Sequence, residues 1–593
     1  MAPEGRNAVK ARDPLARELS HALVTAALTS SLLMAAIPAK AAGQSESNVT
    51  QVIRQADDSE SVQFVLTLKL RNQDQLKREL KDIYNPKSVH YHKFLSTSDF
   101  ASKYAPSKED YAKLESFATQ HGLTISGEHS SRTMIEVTAN TATIRDLFKS
   151  QMYRRQTKEG KDYLAPDIDP TPPSDLSGIG GSVAALSQKP IKTSLVRPDI
   201  EPAVALPTNP SYTGGNYTPS QIRTLYGLNG IQNGGQPVAL VELSSANYAD
   251  AAVYASQYGL HNPTLTQIAV DGGTTSTGDE VEVMLDIEMV MAVSNPANIY
   301  IYTAPHTNAG ALADYAQIAD DNLVGQASTS YVPCEADIDQ SMANQENAVF
   351  SQMAAEGIAM FAASGDHGAG GCDSSVNAVS DPASQPYVTG VGGTSLQTTP
   401  ETVWYDAAPP NTGNYNNYWG SGGGVSTFWP IPDYQTEISP QSSQFSTTMR
   451  NVPDVALDAD PKTGYYIYCT GCEPSGGASW TTVGGTSAAA PEWAAFWSLI
   501  GKGLTVSGAP PARAGFANPA LYAIAANSTN YALDFHDVTT GNNGYFNAVS
   551  GYDNATGLGS FNGGNLYQAV IARKRATTIA PIISYLLLRN TGN

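Results

Sequence analysis

The chain has 593 residues, material for three or four ordinary domains, and 41% hydrophobic with 8% aromatic residues excludes general disorder and collagen-like repetition. Charged residues make up only 15%, and 35 basic against 55 acidic side chains leave a net charge of −20 at pH 7. So acidic a protein is unsuited to nucleic acid or to an anionic membrane surface. The imbalance is concentrated in one part. Residues 44–197 hold 21 Lys/Arg and 19 Asp/Glu, whereas residues 198–570 hold 5 Lys/Arg and 33 Asp/Glu, a net of −28. Between Arg223 and Arg450 lie 226 residues without a basic side chain. Few of those carboxylates can have an ion-pair partner, so self-repulsion is relieved only on protonation. That composition fits a protein working in acid.

In chain order, Arg6, Lys10, Arg12 and Arg17 precede the apolar stretch Ala22–Ile37, which Ala39-Lys40-Ala41 follows. The pattern predicts a secretory signal over 1–41, cleaved near Ala41, and hence a secreted protein. Sixteen residues with four Ser/Thr are short for a membrane span. Four cysteines (Cys334, Cys372, Cys469, Cys472) in an exported chain read as two disulfides. A redox or metal role for Cys469-Thr-Gly-Cys472 lacks a second CxxC or a thioredoxin-like context.

Residues 44–165 read as a small α/β domain. Phe64, Leu66, Leu68 and Leu70 alternate as a strand, helical runs follow at Asp74–Tyr84 and Lys108–His121, then a strand Thr133–Thr138 and a helix Thr141–Lys149. The order fits a ferredoxin-like split βαβ unit. Residues 166–217, rich in Pro, Ser and Gly, read as a linker. Over 218–570, apolar strands (Val238–Leu243, Ile299–Thr303, Ile358–Ala363, Tyr387–Val391) alternate with helices (Asp279–Ala292, Gln340–Glu356, Ser487–Ile500). Alternation with nearly continuous apolar strands predicts a doubly wound, mostly parallel sheet covered on both faces. The tail 571–593 is basic, then apolar.

Gly484-Gly485-Thr486-Ser487-Ala488-Ala489-Ala490-Pro491 places a serine hydroxyl at a helix N-terminus, where free N–H groups can support an oxyanion. Pro491 is expected in the first turn, which needs no donor there. A serine nucleophile needs a base. None of His261, His306, His367 and His536 stands in the His-Gly-Thr or His-Gly-Ser context of subtilisin-like enzymes, so a carboxylate base enters. Glu282 and Asp286, in the run Asp279–Val290, are spaced i,i+4 and share one helix face. Such a pair is ordinarily solvated surface. Here the neighbours Val283, Met284, Leu285 and Ile287 are apolar and no basic residue is near, which predicts two buried carboxyls sharing a proton, one pKa raised. Asp366 ends the apolar run Ile358–Ala363 at the glycine turn Ser364-Gly365-Asp366, where doubly wound sheets carry functional groups.

Together these elements resemble the sedolisin family of serine-carboxyl peptidases, in particular its kumamolisin-like members. The resemblance spans residues 44 to about 570 and implies a subtilisin-like catalytic domain, with residues 44–165 as an activation propeptide and the maturation site within 166–217. It implies Ser487 as nucleophile, Glu282 and Asp286 as the paired acids, and Asp366 as the acid of the oxyanion hole. Arg450-Asn-Val-Pro-Asp454-Val matches a segment that supports the substrate cleft. The family also implies one structural Ca²⁺. Asp537 and Asp553, with the carbonyls of Val538, Val549 and Gly551, match its ligands, and an oxygen-only shell with two anions suits that ion. The resemblance further implies a Cys334–Cys372 bridge. Ser330-Tyr331-Val332 stands where the family commonly has Ser-Trp-Gly. The function implied is that of a secreted, autoactivating, acid-acting endopeptidase, monomeric, with protein or peptide substrates and its own propeptide as inhibitor. The rivals are a neutral Ser-His-Asp subtilase and a degenerate, non-catalytic binding protein on the same scaffold.

Overall fold

The computed structural model describes residues 51–157, 160–191, 216–370, 378–406, 419–439, 442–472 and 477–574. Residues 1–41, read from the sequence as a secretory signal, the tail beyond 574 and Cys372 lie outside the described residues. Among the described residues no helix is long and apolar enough to cross a membrane.

The first domain is an antiparallel four-stranded sheet in the order Thr124–Glu128, Met134–Asn140, Ser61–Leu68, Gly181–Ala184. Its helices Lys108–Gln120 and Thr141–Phe148 open on side-chain caps: Ser107 accepts from the Asp110 N–H (3.0 Å) and Asn140 from the Thr143 N–H (2.8 Å). Leu114, Phe117, Ile144 and Phe148 from those helices meet Phe64 and Leu66 in one core. This is the ferredoxin-like arrangement, with two departures from the sequence reading. The strand Ser61–Leu68 is buried on both faces, because Val65 packs into the core of the second domain while its neighbours fill the first. The stretch from 166, read as linker, supplies the fourth strand, Gly181–Ala184, which is short and flanked by Gly and Pro and so carries little pattern. A second sheet joins Gln51–Gln55, Met152–Gln156 and Asp162–Pro166.

The second domain is built on an eight-stranded sheet, whose strands we number β1 (Val238–Glu242), β2 (Thr264–Ala269), β3 (Asn298–Thr303), β4 (Gln326–Thr329), β5 (Ala359–Ala363), β6 (Val388–Ser395), β7 (Thr402–Val403) and β8 (Val455–Asp458). The order is β7-β6-β5-β4-β1-β3-β2, with β8 also paired to β6, and only β7 runs antiparallel. Helices cover both faces. Val238 and Leu240 of β1 face a core shared with helices Glu280–Val293 and Thr486–Leu504. Ala239 and Val241 face the other core, shared with helices Asn308–Asp321 and Gln340–Glu356. The winding reverses between β1 and β4, and the carboxyl ends of those strands flank the crevice where such sheets bind ligands.

The first domain grips the second at several places. The Tyr84 hydroxyl donates to Ala354 O (2.6 Å) and accepts from the Phe516 N–H (2.9 Å), and the Leu95 N–H donates to Ala355 O. Phe94 lies against Gly357 and Gly515, where a Cβ would come within 2.5 and 2.6 Å of its ring. His129 sits 2.7 Å from Glu136 and 3.5 Å from Asp320 of the second domain. Further on, Lys189 lies 2.7 Å from Asp337 and the Ile191 carbonyl 2.7 Å from the His306 ring.

Candidate active site

Every residue of the helix Glu280–Val293 is buried, so its polar face cannot look at solvent and must look at other polar groups. Glu282 and Asp286 are both fully buried on that face. The Ser330 hydroxyl, just past the end of β4, lies 2.9 and 3.0 Å from the two Asp286 oxygens and donates to that carboxylate. Glu242, the last residue of β1, joins them from the opposite side of the crevice, fully buried, with both oxygens unpartnered. No cation stands against any of the three among the described residues. Burial, and then mutual repulsion, raises the pKa of Glu282 and of Glu242, and burial raises that of Asp286 against the pull of Ser330. Coupled acids of this kind titrate as a set, holding protons well above the ordinary carboxylate range.

Ser487 is the second residue of the helix Thr486–Leu504, entered through Gly485 at φ 108°, a conformation that favours glycine. Its Oγ is buried and faces Glu282, whose pKa it holds down, although neither Oγ nor the Glu282 oxygens complete a hydrogen bond of ordinary geometry. Pro491 corrects the sequence reading. The helix begins at Thr486, so Pro491 is its sixth residue, beyond the first turn. The N–H it lacks would have bonded the Ser487 carbonyl, which instead lies 3.4 Å from the Ser330 hydroxyl.

Asp366 follows β5 and is 4% exposed. Its Oδ1 accepts from the Thr486 N–H (2.8 Å) and the Thr486 hydroxyl (2.7 Å), whereas Oδ2 is buried without a partner. Burial pushes this carboxyl up to about 7, against the two Thr486 donors. Ser487, Glu282, Asp286 and Asp366 therefore converge as the sequence suggests. Sequence reasoning missed Glu242 and Ser330. The signal for Glu242 was an acid closing an otherwise apolar strand, Val-Ala-Leu-Val-Glu.

The histidines have other partners. His306 Nε2 lies 2.7 Å from Ile191 O and its Nδ1 is 3.4 Å from Asp279, the residue capping the acid-bearing helix. His367 stacks on Trp419, and His536 Nδ1 is 3.2 Å from Ser560 Oγ. No histidine hydrogen-bonds Ser487 Oγ.

The model of the pro-kumamolisin activation domain family matches residues 48–186. Kumamolisin of Bacillus sp. (strain MN-32) is 30% identical over 508 residues, covering 80% of this chain and 86% of the relative. The chain belongs to the sedolisin family of serine-carboxyl peptidases. Sedolisin of Pseudomonas sp. (strain 101) is 26% identical over 84% of this chain and 86% of its own length, and human tripeptidyl-peptidase 1 is 27% identical over 82% and 85%. Among solved structures, Pseudomonas sedolisin complexed with two molecules of pseudo-iodotyrostatin superposes with a TM-score of 0.53 at 27% identity, covering 61% of this chain and 99% of that one. This chain is thus a serine peptidase with an activation propeptide on a subtilisin-like fold.

Two further features bear on the site. Cys469 and Cys472 are joined, and Cys334 is also disulfide-bonded, its expected partner Cys372 lying outside the described residues. Arg450 and Asp454 are both fully buried, with Arg450 also donating to the carbonyls of Ser384, Ala383 and Val388, so this segment pins β6 from within the core.

Proposed function

We propose that this member of the sedolisin family is a secreted, autoactivating endopeptidase that works in acid. The observation that carries the reading is the serine facing a buried, cation-free set of carboxyls. Ser487 Oγ attacks the peptide carbonyl while Glu282 takes its proton and then returns it to the leaving amine. Asp286, oriented by Ser330, holds the shared proton beside Glu282. Asp366, protonated on the oxygen that has no partner, donates to the developing oxyanion alongside the Ser487 N–H. A histidine is not needed, because burial places these carboxyls where they exchange protons in acid.

A structural Ca²⁺ near the C-terminus is part of the proposal. Asp537 accepts from the Tyr531 hydroxyl (2.9 Å), Ser550 Oγ (3.2 Å) and the Gly551 N–H (3.0 Å), and Asp553 accepts from the Val549 N–H (3.0 Å). Both acids thus hold one loop, and the carbonyls of Val538, Val549 and Gly551 accept no hydrogen bond among the described residues. No group of three His, Cys, Asp or Glu side chains that could hold a metal forms among the described residues, so an ion relies on main-chain oxygens. Such a donor set fits Ca²⁺, which would tie the two loops together.

The test of the catalytic reading is Ser487→Ala. The purified precursor should stay full-length on acidification, whereas the wild-type chain shortens by the mass of its propeptide. Processing of the pure mutant at the wild-type rate would reject Ser487 as the nucleophile.

A further inference from the structure

The segment that leaves the first domain does not cross the second at random. Past the strand Gly181–Ala184, the Ala185 N–H donates to Asp339 (3.1 Å), and the Lys189 ammonium then lies 2.7 Å from the Asp337 carboxylate. Two residues on, Ile191 is buried in the same apolar cluster as Tyr302, Ala304 and Tyr331, and its carbonyl accepts from the His306 ring. Pro190 between them keeps Lys189 extended, so both flanking side chains engage the second domain. These contacts adjoin the candidate catalytic groups. His306 packs edge-on against Tyr331, the residue after Ser330, and its other nitrogen approaches Asp279 at the head of the acid-bearing helix.

The ion pair differs from ordinary interdomain charge pairing. Lys81–Asp433, another Lys–carboxylate pair across the domains, has side chains 74% and 84% exposed, whereas in Lys189–Asp337 they are 16% and 34% exposed. A half-buried carboxylate, an apolar cluster that covers an aliphatic side chain and a ring that binds a main-chain carbonyl are what a peptide strand requires.

We propose that Asp337 and the apolar site beside His306 and Tyr331 are substrate subsites on the amino-terminal side of the scissile bond. In the precursor they are filled by the chain's own Lys189-Pro190-Ile191. A substrate strand following the same path presents a basic residue two places before an aliphatic one, both upstream of the bond at Ser487. The mature enzyme therefore selects extended substrates with that pattern. This deepens the peptidase reading and rests on Ser487 being the nucleophile.

The experiment uses the full-length protein matured in acid and quenched peptides that differ only in Lys, Ala or Glu two places before an upstream Ile, with the cut bond located by mass spectrometry. The wild type should favour Lys over Ala about three- to fivefold in kcat/KM, the scale of a partly exposed ion pair, and over Glu by more. Asp337→Asn should bring the three peptides within about twofold of one another. Replacing the Ile by Asp should slow cleavage in both enzymes. Equal rates for the three peptides with wild type overturn the proposal, as does an Asp337→Asn enzyme that keeps the lysine preference while only maturing faster. Failure of the catalytic reading looks different: every peptide is then cleaved as fast by the Ser487→Ala protein.

Discussion

At Asp366 a single proton decides whether the residue can act. A carboxylate only accepts hydrogen bonds, and Oδ1 already accepts two from Thr486, so Oδ2 serves an oxyanion only when protonated. With its pKa raised by burial to about 7, Asp366 is protonated throughout the acid range and loses the proton as pH rises through that value. Wild-type activity should accordingly be highest in acid and fall towards neutrality, the reverse of a histidine-based enzyme, which loses activity as its imidazole protonates around ~6.5. Asp366→Asn separates the two, since an amide donates at any pH. Asn should outperform Ala and move the alkaline limb upwards, while Ala should lose on the order of 10²–10³ in kcat, the usual cost of an oxyanion donor. A pH–rate profile of the three proteins checks this, and a wild-type optimum at or above neutrality would exclude the assignment. Ser487, Glu282, Asp286 and Asp366 were legible because each carries its signal locally, in a glycine turn or a helical spacing. Glu242 and Ser330 were not. They reach the same crevice only because the winding order reverses between β1 and β4, and strand order is a long-range property that no local pattern encodes.

At the scale of elements, what the sequence conveyed depended on how completely each was buried. Strands buried on both faces, such as β1 and β5, read clearly as short apolar runs. β2, with a burial pattern that never reaches full burial, and the four-residue β4 escaped notice. The C-terminal loops show a different dependence, because regular structure there is sparse: Phe535–His536 pairs only with Ser560–Phe561. Asp537 and Asp553 both lie in the connection between those two strands, and a bound Ca²⁺ would replace the regular structure it lacks. An ion that binds only the folded state stabilises it by mass action, by about 2.7 kcal/mol at a hundredfold excess over its Kd. Chelation at mildly acid pH should lower the melting temperature by several degrees, and Asp553→Ala should produce the same loss without chelator and be insensitive to it. Calorimetry with and without added Ca²⁺ measures both, and unchanged melting in the two experiments would remove the ion from the proposal.

Over the whole molecule, charge placement links stability to latency. Glu288, Asp314, Glu346, Asp458 and Glu492 are buried, and burial raises each pKa. Carboxyls raised in the folded state contribute stability that is fully present below the ordinary carboxylate range and is lost as pH rises through the folded values. The melting temperature should therefore decline from about pH 4 towards neutrality, where most proteins hold steady. A flat melting profile from pH 4 to 7 would contradict that. The propeptide carries the opposite device. His92 lies in an aromatic nest with Tyr84, Tyr91 and Phe94, its Nδ1 is buried without a partner, and the ammonium of Lys574 from the second domain faces it. Burial, then that charge, pulls the imidazole down to about 3. A histidine depressed in the docked state favours release as pH falls below the free value of ~6.5, by at most about 1.4 kcal/mol per pH unit until the docked pKa is reached. The window from about 6.5 to 3 lies within the range in which Asp366 is protonated, so docking weakens where the oxyanion donor is available. The His129 cluster with Glu136 and Asp320 works against early release, since its imidazole is raised to about 10 and stays charged throughout. His92→Phe keeps a ring in the nest and removes the charge. The mutant precursor should inhibit as well as wild type at neutral pH and convert only at a distinctly lower pH, read as the midpoint of propeptide loss on a gel across stepwise acidification. Conversion at the wild-type midpoint would mean that the carboxylates, and not His92, set the pH of release.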